Sequence, residues 1–250
     1  MRLLLLSNST NFGGGYLDHA LPAIEGLFRG LRRVAFVPFA LADQAGYFER
    51  ARKRLQDLGI EAARVVEGAP GRRTIEDADG VFVGGGNTFR LLERLQRSEL
   101  LAPIRSRALG GTPYLGASAG TVIAAPTIKT TNDMPIVQPA SFEALGLVPF
   151  QINCHYLDPE PASRHMGETR ETRLREYLEE NDTPVVGLRE GSWLEVEGGS
   201  AGEAGGAVGR EKAGRLAPPQ TRLRGPLAAR IFRRGAEPVE CPPGSALELP

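Results

Sequence analysis

The chain has little of what marks most specialised classes of protein. Only two of its 250 residues are cysteine, Cys154 and Cys241, and they lie far apart. That is no disulfide framework, and it suits a reducing compartment. Three histidines are present, His19, His155 and His165, with no H-E-x-x-H and no cysteine cluster at zinc-ligand spacing. The one metal site that can be drawn, His155 with His165 and Asp158, has no motif behind it, and no metal is expected. The 30 basic and 30 acidic residues cancel to a formal net charge of zero. No long-range field therefore draws the chain to nucleic acid or to an anionic membrane. The arginines between Arg29 and Arg33 and between Arg230 and Arg234 read as solvated faces. No apolar run approaches the roughly 18 residues of a membrane span. The opening Met1-Arg2-Leu3-Leu4-Leu5-Leu6 is too short for a signal core and is cut off by the polar Ser7-Asn8-Ser9-Thr10-Asn11. It reads as a buried strand, and the expected location is cytoplasmic.

What is present is ordinary globular material, 41% hydrophobic and 24% charged. Apolar strand-like runs alternate with segments of helical period. Leu3–Leu6, Arg33–Val37, Ala62–Val66, Gly80–Val83, Gln151–Tyr156 and Pro184–Leu188 read as strands. Helices are expected over about Tyr16–Phe28, Gln44–Leu58, Asn87–Leu95, Leu101–Ala108 and Thr169–Glu180, with a short helical turn at Ile75–Ala78. This alternation predicts an α/β fold, a mainly parallel sheet flanked by helices on both faces. Trp193–Val196 opens an antiparallel hairpin, its partner expected near Leu227–Phe232. The stretch 199–221, low in apolar bulk and rich in Gly, Ala and charge, reads as a flexible loop inserted into a single domain spanning 1–250.

The densest chemical signal is Gly116-Ala117-Ser118-Ala119-Gly120, a G-x-S-x-G between a short apolar run and a segment able to open a helix. That is the setting of a nucleophile elbow, where a serine on a sharp strand-to-helix turn projects its hydroxyl out of the sheet. The helix that follows aims backbone N–H groups, beginning with Ala119, at the reacting atoms. A Gly/Ala-rich turn with an incidental serine would look the same in isolation.

A serine nucleophile needs a base, and His155, at a strand end, is the best candidate because imidazole can take and return a proton near neutral pH. A carboxylate must then orient the ring. Asp133 in Thr131-Asn132-Asp133-Met134 and Glu190 in Leu188-Arg189-Glu190-Gly191 both qualify, and spacing does not choose between them. Gly84-Gly85-Gly86-Asn87 matches neither a dinucleotide fingerprint nor a P-loop. Its other use is as an oxyanion hole, where glycines let amides approach a tetrahedral intermediate, and a glycine-rich turn with no ligand would look the same.

Taken together these segments resemble peptidase E, the aspartyl dipeptidase family of serine peptidases. The resemblance is carried by Leu4-Leu5-Leu6-Ser7-Asn8-Ser9-Thr10, Gly84-Gly85-Gly86-Asn87-Thr88-Phe89, Gly116-Ala117-Ser118-Ala119-Gly120, Thr130-Thr131-Asn132-Asp133-Met134-Pro135-Ile136, Ile152-Asn153-Cys154-His155 and Gly167-Glu168-Thr169-Arg170-Glu171, in order along the chain. It implies a sandwich related to class I glutamine amidotransferases, with serine in place of their cysteine. It also implies hydrolysis of a small peptide substrate after an N-terminal aspartate, without cofactor or metal; a monomer or homodimer is expected. Ser118 would be the nucleophile and His155 the base, with Asp133 or Glu190 as third member. Gly85, Gly86 and Ala119 would form the oxyanion hole, and Arg170 and Asn87 would bind substrate. Isoaspartyl, cyanophycin-like or longer aspartyl substrates, and an inactive ligand-binding protein on the same fold, are the alternatives. An amidotransferase glutaminase fits less well, because position 118 is Ser and Cys154 lies outside the elbow.

Overall fold

In the computed structural model, which describes residues 1–160, 164, 166–198 and 219–248, the first strand sets the architecture. β1 (Arg2–Leu6) has four buried leucines in succession. Because side chains alternate across a strand, Leu3 and Leu5 enter one core while Leu4 and Leu6 enter another on the opposite face. The same division runs through β2 (Arg33–Val37), β4 (Gly80–Val83) and β5 (Tyr114–Ala117). Such doubly buried runs have to be covered on both sides. One face is covered by α1 (Leu21–Leu27) and α2 (Gln44–Asp57). The other takes α3 (Ala69–Glu76), α4 (Thr88–Arg97), α5 (Leu101–Leu109) and the short α6 (Ala119–Val122).

With β3 (Glu61–Arg64), β8 (Trp193–Glu197) and β9 (Gln220–Arg224), these strands form a seven-stranded sheet ordered β3-β2-β4-β5-β1-β8-β9. The first five run parallel, and β8 and β9 turn antiparallel beyond β1. A second sheet of four strands, ordered β11-β10-β7-β6, is built from β6 (Gln151–Cys154), β7 (Val185–Leu188), β10 (Ala229–Phe232) and β11 (Val239–Cys241). It packs through Ile152, Cys154, Val186 and Leu188 into the core that holds α6, and α7 (Arg170–Glu180) covers its outer side with Leu174 and Leu178. α6 touches β1, β4 and β5 of the large sheet and β6 of the small one.

The mixed α/β architecture expected from the sequence is present, with differences in detail, among them a helix at Ala69–Glu76 where only a short turn at Ile75–Ala78 is expected. The strands at 151–154 and 185–188 leave the main sheet for the second one. The partner of β8 is β9, through Trp193↔Arg224 and Leu194↔Leu223, and not the segment near Leu227–Phe232. That segment supplies β10, whose Arg230–Phe232 pairs with β7. Alternation explains the choice, since β9 buries Thr221 and Leu223 in a two-residue rhythm against β8. Helix formation before β2 starts late, with a 3-10 turn at Asp18–Ala20 and Pro22 near the start of α1. Most of the expected 199–221 loop lies outside the described residues, and 220–221 belong to β9.

Two glycines fix how tightly α6 sits on the sheet. A Cβ on Gly120 would lie 2.0 Å from the Val83 carbonyl oxygen, and one on Gly116 would lie 2.6 Å from that of Gly120. Backbone on both sides leaves nothing to swing aside. Gly120→Ala is therefore expected to destabilise the fold by about 3 kcal/mol or more, read as a lower midpoint in chemical denaturation.

Candidate active site

Strand β5 ends at Ala117, and the chain reverses at once into α6. Ser118 sits between them at φ 50°, ψ −110°, a conformation rare for a residue with a side chain. The Leu6 carbonyl accepts its N–H at 3.0 Å, and the Tyr114 hydroxyl donates to the Gly120 carbonyl at 2.6 Å, holding strand and helix together across the bend. The Ser118 side chain is only half-buried while its neighbours Ala117 and Ala119 are buried. This is the geometry that small flanking residues allow and that lifts a hydroxyl clear of a sheet.

His155 follows β6 directly, also at positive φ (54°). Its Nε2 lies 2.7 Å from Ser118 Oγ, and its Nδ1 lies 2.6 Å from Glu190 Oε1, in the turn between β7 and β8. Nucleophile, imidazole and carboxylate thus stand in line, with an Nδ1–H directed to the carboxylate leaving Nε2 to accept from the serine. The His155 and Glu190 side chains are 38% and 52% exposed, so this end of the relay is open to solvent.

Asp133, the other candidate for the third place, is occupied elsewhere. Its Oδ2 accepts the Thr88 N–H at 2.7 Å, the Thr88 hydroxyl at 2.6 Å and the Thr131 hydroxyl at 3.2 Å. It neutralises the first turn of α4, where the helix dipole favours a negative charge. The carboxylate that reaches the ring is Glu190.

The glycine turn after β4 lies against the elbow. A Cβ on Gly85 would stand 3.0 Å from Ser118 Cβ. The Gly85 N–H, however, donates to the buried Tyr47 hydroxyl at 2.7 Å, so it is not available to an oxyanion. Gly84 N–H donates to Val37 and Asn87 N–H to Ala40. Gly86, at φ 135°, is the amide of this turn without a backbone acceptor among the described residues, as is Ala119 at the start of α6. Gly86 and Ala119 are the two donors left from the expected three. Asn87 is also committed, since its Oδ1 caps α4 through the Arg90 N–H at 3.0 Å and its Nδ2 donates to Met134 O at 2.9 Å. Both ends of its amide brace the turn.

Arg170 begins α7, capped by Thr169. Its neighbours Arg173 and Arg175 pair with Glu168 and Glu171, whereas no carboxylate pairs with Arg170 among the described residues. Burial and the nearby Arg173 push its pKa below the ordinary value, with Asp133 pulling the other way. A half-buried guanidinium without a close counter-ion is a place for a carboxylate to dock.

Of the residues drawn earlier as a metal site, Asp158 is held by Arg189 at 2.7 and 2.8 Å and His165 lies outside the described residues. No cluster of three His, Cys, Asp or Glu suited to a metal occurs among the described residues. Cys154 is buried, its Sγ 3.6 Å from the Ser118 carbonyl, and burial raises its thiol pKa well above the ordinary range. No helix among those described is long and apolar enough to cross a membrane.

Ser7, Asn8 and Tyr47 join the site without a motif that marks them. Ser7 and Asn8 stood in a segment of the family resemblance without a role, and nothing in the spacing linked Tyr47 to the glycine turn.

The profile of Peptidase family S51 matches residues 3–203. A protein named Peptidase E from Streptomyces coelicolor is 55% identical over 247 residues, covering 99% of this chain and 93% of its own. One named Probable alpha-aspartyl dipeptidase from Drosophila melanogaster is 49% identical over 202 residues, covering 80% and 84%. Among solved structures, a peptidase from an acI-B1 Actinobacterium superposes with a TM-score of 0.68 over 99% of this chain and 96% of that one, at 16% identity, which speaks for the fold. A strained serine on the elbow, an imidazole and a carboxylate in line behind it, and a family match over most of the length lead to one assignment: this chain belongs to peptidase family S51.

Proposed function

We propose that this serine peptidase is an aspartyl dipeptidase, hydrolysing the bond that follows an N-terminal aspartate through an acyl-enzyme. The observation that carries the chemistry is the aligned Ser118 Oγ, His155 and Glu190, with contacts of 2.7 and 2.6 Å. Substrate choice is supported by the names of the relatives and by the half-buried Arg170.

In this reading Ser118 Oγ attacks the scissile carbonyl as its proton passes to His155 Nε2. Glu190 holds the ring by the Nδ1–H and stabilises the imidazolium. The developing oxyanion lies against the amides of Gly86 and Ala119, each such donor lowering the barrier by about 3 kcal/mol. The proton then moves from Nε2 to the departing amine, and water, activated by the same nitrogen, releases aspartate from Ser118. Arg170 grips the β-carboxylate of the substrate aspartate in a two-pronged bond that an ammonium cannot imitate.

The test is a panel of Asp-, Asn-, Glu- and Ala-Xaa anilides. Wild type is expected to prefer Asp. Arg170→Met should lower kcat/KM for the aspartyl substrate roughly a hundredfold while changing that for Asn-Xaa little, which collapses the preference. Aspartyl preference that persists in Arg170→Met would remove Arg170 from recognition. An absence of serine-dependent cleavage of any aspartyl substrate would remove the function.

A further inference from the structure

The nucleophile stands on the large sheet, whereas His155 and Glu190 stand at the ends of strands of the small one. Their alignment to within a few tenths of an ångström therefore depends on how the two sheets are fastened. Three consecutive residues at the carboxyl end of β1 make that connection. The Leu6 carbonyl accepts the Ser118 N–H at 3.0 Å and the Thr121 hydroxyl at 2.7 Å. Ser7 Oγ accepts the His155 N–H at 3.0 Å and donates to the Leu188 carbonyl at 2.7 Å. Asn8 Oδ1 accepts the Gly191 N–H at 2.9 Å, next to Glu190, while its Nδ2 is anchored on Thr10 O and Asn11 Oδ1.

Ser7 is fully buried and Asn8 is 2% exposed. Polar groups at such positions are costly unless fully bonded, and apolar residues would seal a seam equally well. What the hydroxyl adds is direction. Its single proton goes to Leu188, which turns its lone pairs toward the N–H of a residue whose left-handed backbone has carried it off the strand ladder.

We propose that Ser7 is a positioning residue for His155, and that Asn8 does the same for the turn bearing Glu190. The inference rests on the catalytic reading above. Ser7 holds the imidazole at the azimuth where Nε2 meets Ser118, so its loss lowers the reactivity of the serine and leaves the grip on substrate intact.

The experiment compares full-length wild type with Ser7→Ala, Ser7→Thr and Asn8→Ala, measuring the rate at which a small fluorophosphonate labels Ser118 and the kcat and KM for an aspartyl anilide. Ser7→Ala is expected to lower the labelling rate and kcat together, roughly tenfold to a hundredfold, with KM within about twofold of wild type. Ser7→Thr, which keeps the hydroxyl, should recover most of the loss, and Asn8→Ala should lose roughly tenfold. Wild-type labelling rates in Ser7→Ala would overturn the proposal, as would a fall that appears in KM or that Ser7→Thr fails to recover. If Ser7→Ala does not fold, Asn8→Ala and Ser7→Thr decide it. Wild type labelled at Ser118 but inactive on every aspartyl substrate would count against the substrate assignment, and the labelling rates would still judge the clamp.

Discussion

Ser118→Gly is expected to leave a protein that melts higher than Ser118→Ala and cleaves nothing. Both substitutions remove the oxygen in line with His155 Nε2, and turnover should fall about 10⁶-fold, as when a nucleophile is lost from any triad that acts as a unit. Their stabilities should differ because the backbone at 118 lies at φ 50°, ψ −110°. Alanine carries that strain as serine does. Glycine relieves about 1–3 kcal/mol of it and gives back about 0.5–1 kcal/mol through its freer unfolded chain. The net, about 1 kcal/mol, should appear as a rise of roughly 2–4 °C over the alanine variant in a thermal melt. Equal melting points would mean that the elbow is unstrained.

The second large effect separates the two carboxylates. Glu190→Gln should lower kcat about 10³-fold, because an amide can offer its NH₂ to Nδ1 and so place the ring proton on Nε2, facing the serine it should deprotonate. Solvent reaches this side chain, so the loss should be smaller than in a sealed triad. The far-downfield proton resonance expected of the Nδ1–H bond to Glu190 in the imidazolium form should vanish with it. Asp133→Ala should leave that resonance in place and act on stability, since it strips the Thr88 N–H and hydroxyl of their acceptor and leaves the Thr131 hydroxyl only its bond to Thr88, at a cost of about 2 kcal/mol. A resonance that survives Glu190→Gln and disappears in Asp133→Ala would reverse the assignment.

Much of this could be read from the chain, and the part that could not has a common cause. Strands buried on both faces announce themselves as unbroken apolar runs, so β1, β2, β4 and β5 and the parallel sheet were legible. The elbow was legible too, because its requirements are local: glycines at 116 and 120 and small residues beside Ser118. Decisions that depend on which distant group arrives first were not. Asp133 and Glu190 sit in similar turns, and only the folded chain shows Thr88 claiming one and His155 the other. Gly85 looked like an oxyanion donor until Tyr47 proved to hold its amide. The partner of β8 was misplaced because Gln220–Arg224, with two buried side chains among charged ones, reads as the tail of the Gly- and Ala-rich stretch before it. Ala229–Phe232, more apolar, attracted the assignment instead.

The place of β1 also bears on the order in which the molecule comes together. Leu3 lies beside Tyr114 on one side and Val196 on the other, so this strand leaves the ribosome long before either neighbour exists. β2, β3 and β4 can associate in the meantime, each close in sequence to the next, while four leucines wait unpaired for β5 and then β8. Full pairing of β1 is accordingly among the last events in the assembly of a newly made chain, and a translation product halted before the Trp193 strand would hold Ser118, His155 and Glu190 in its sequence with β1 paired on one side only.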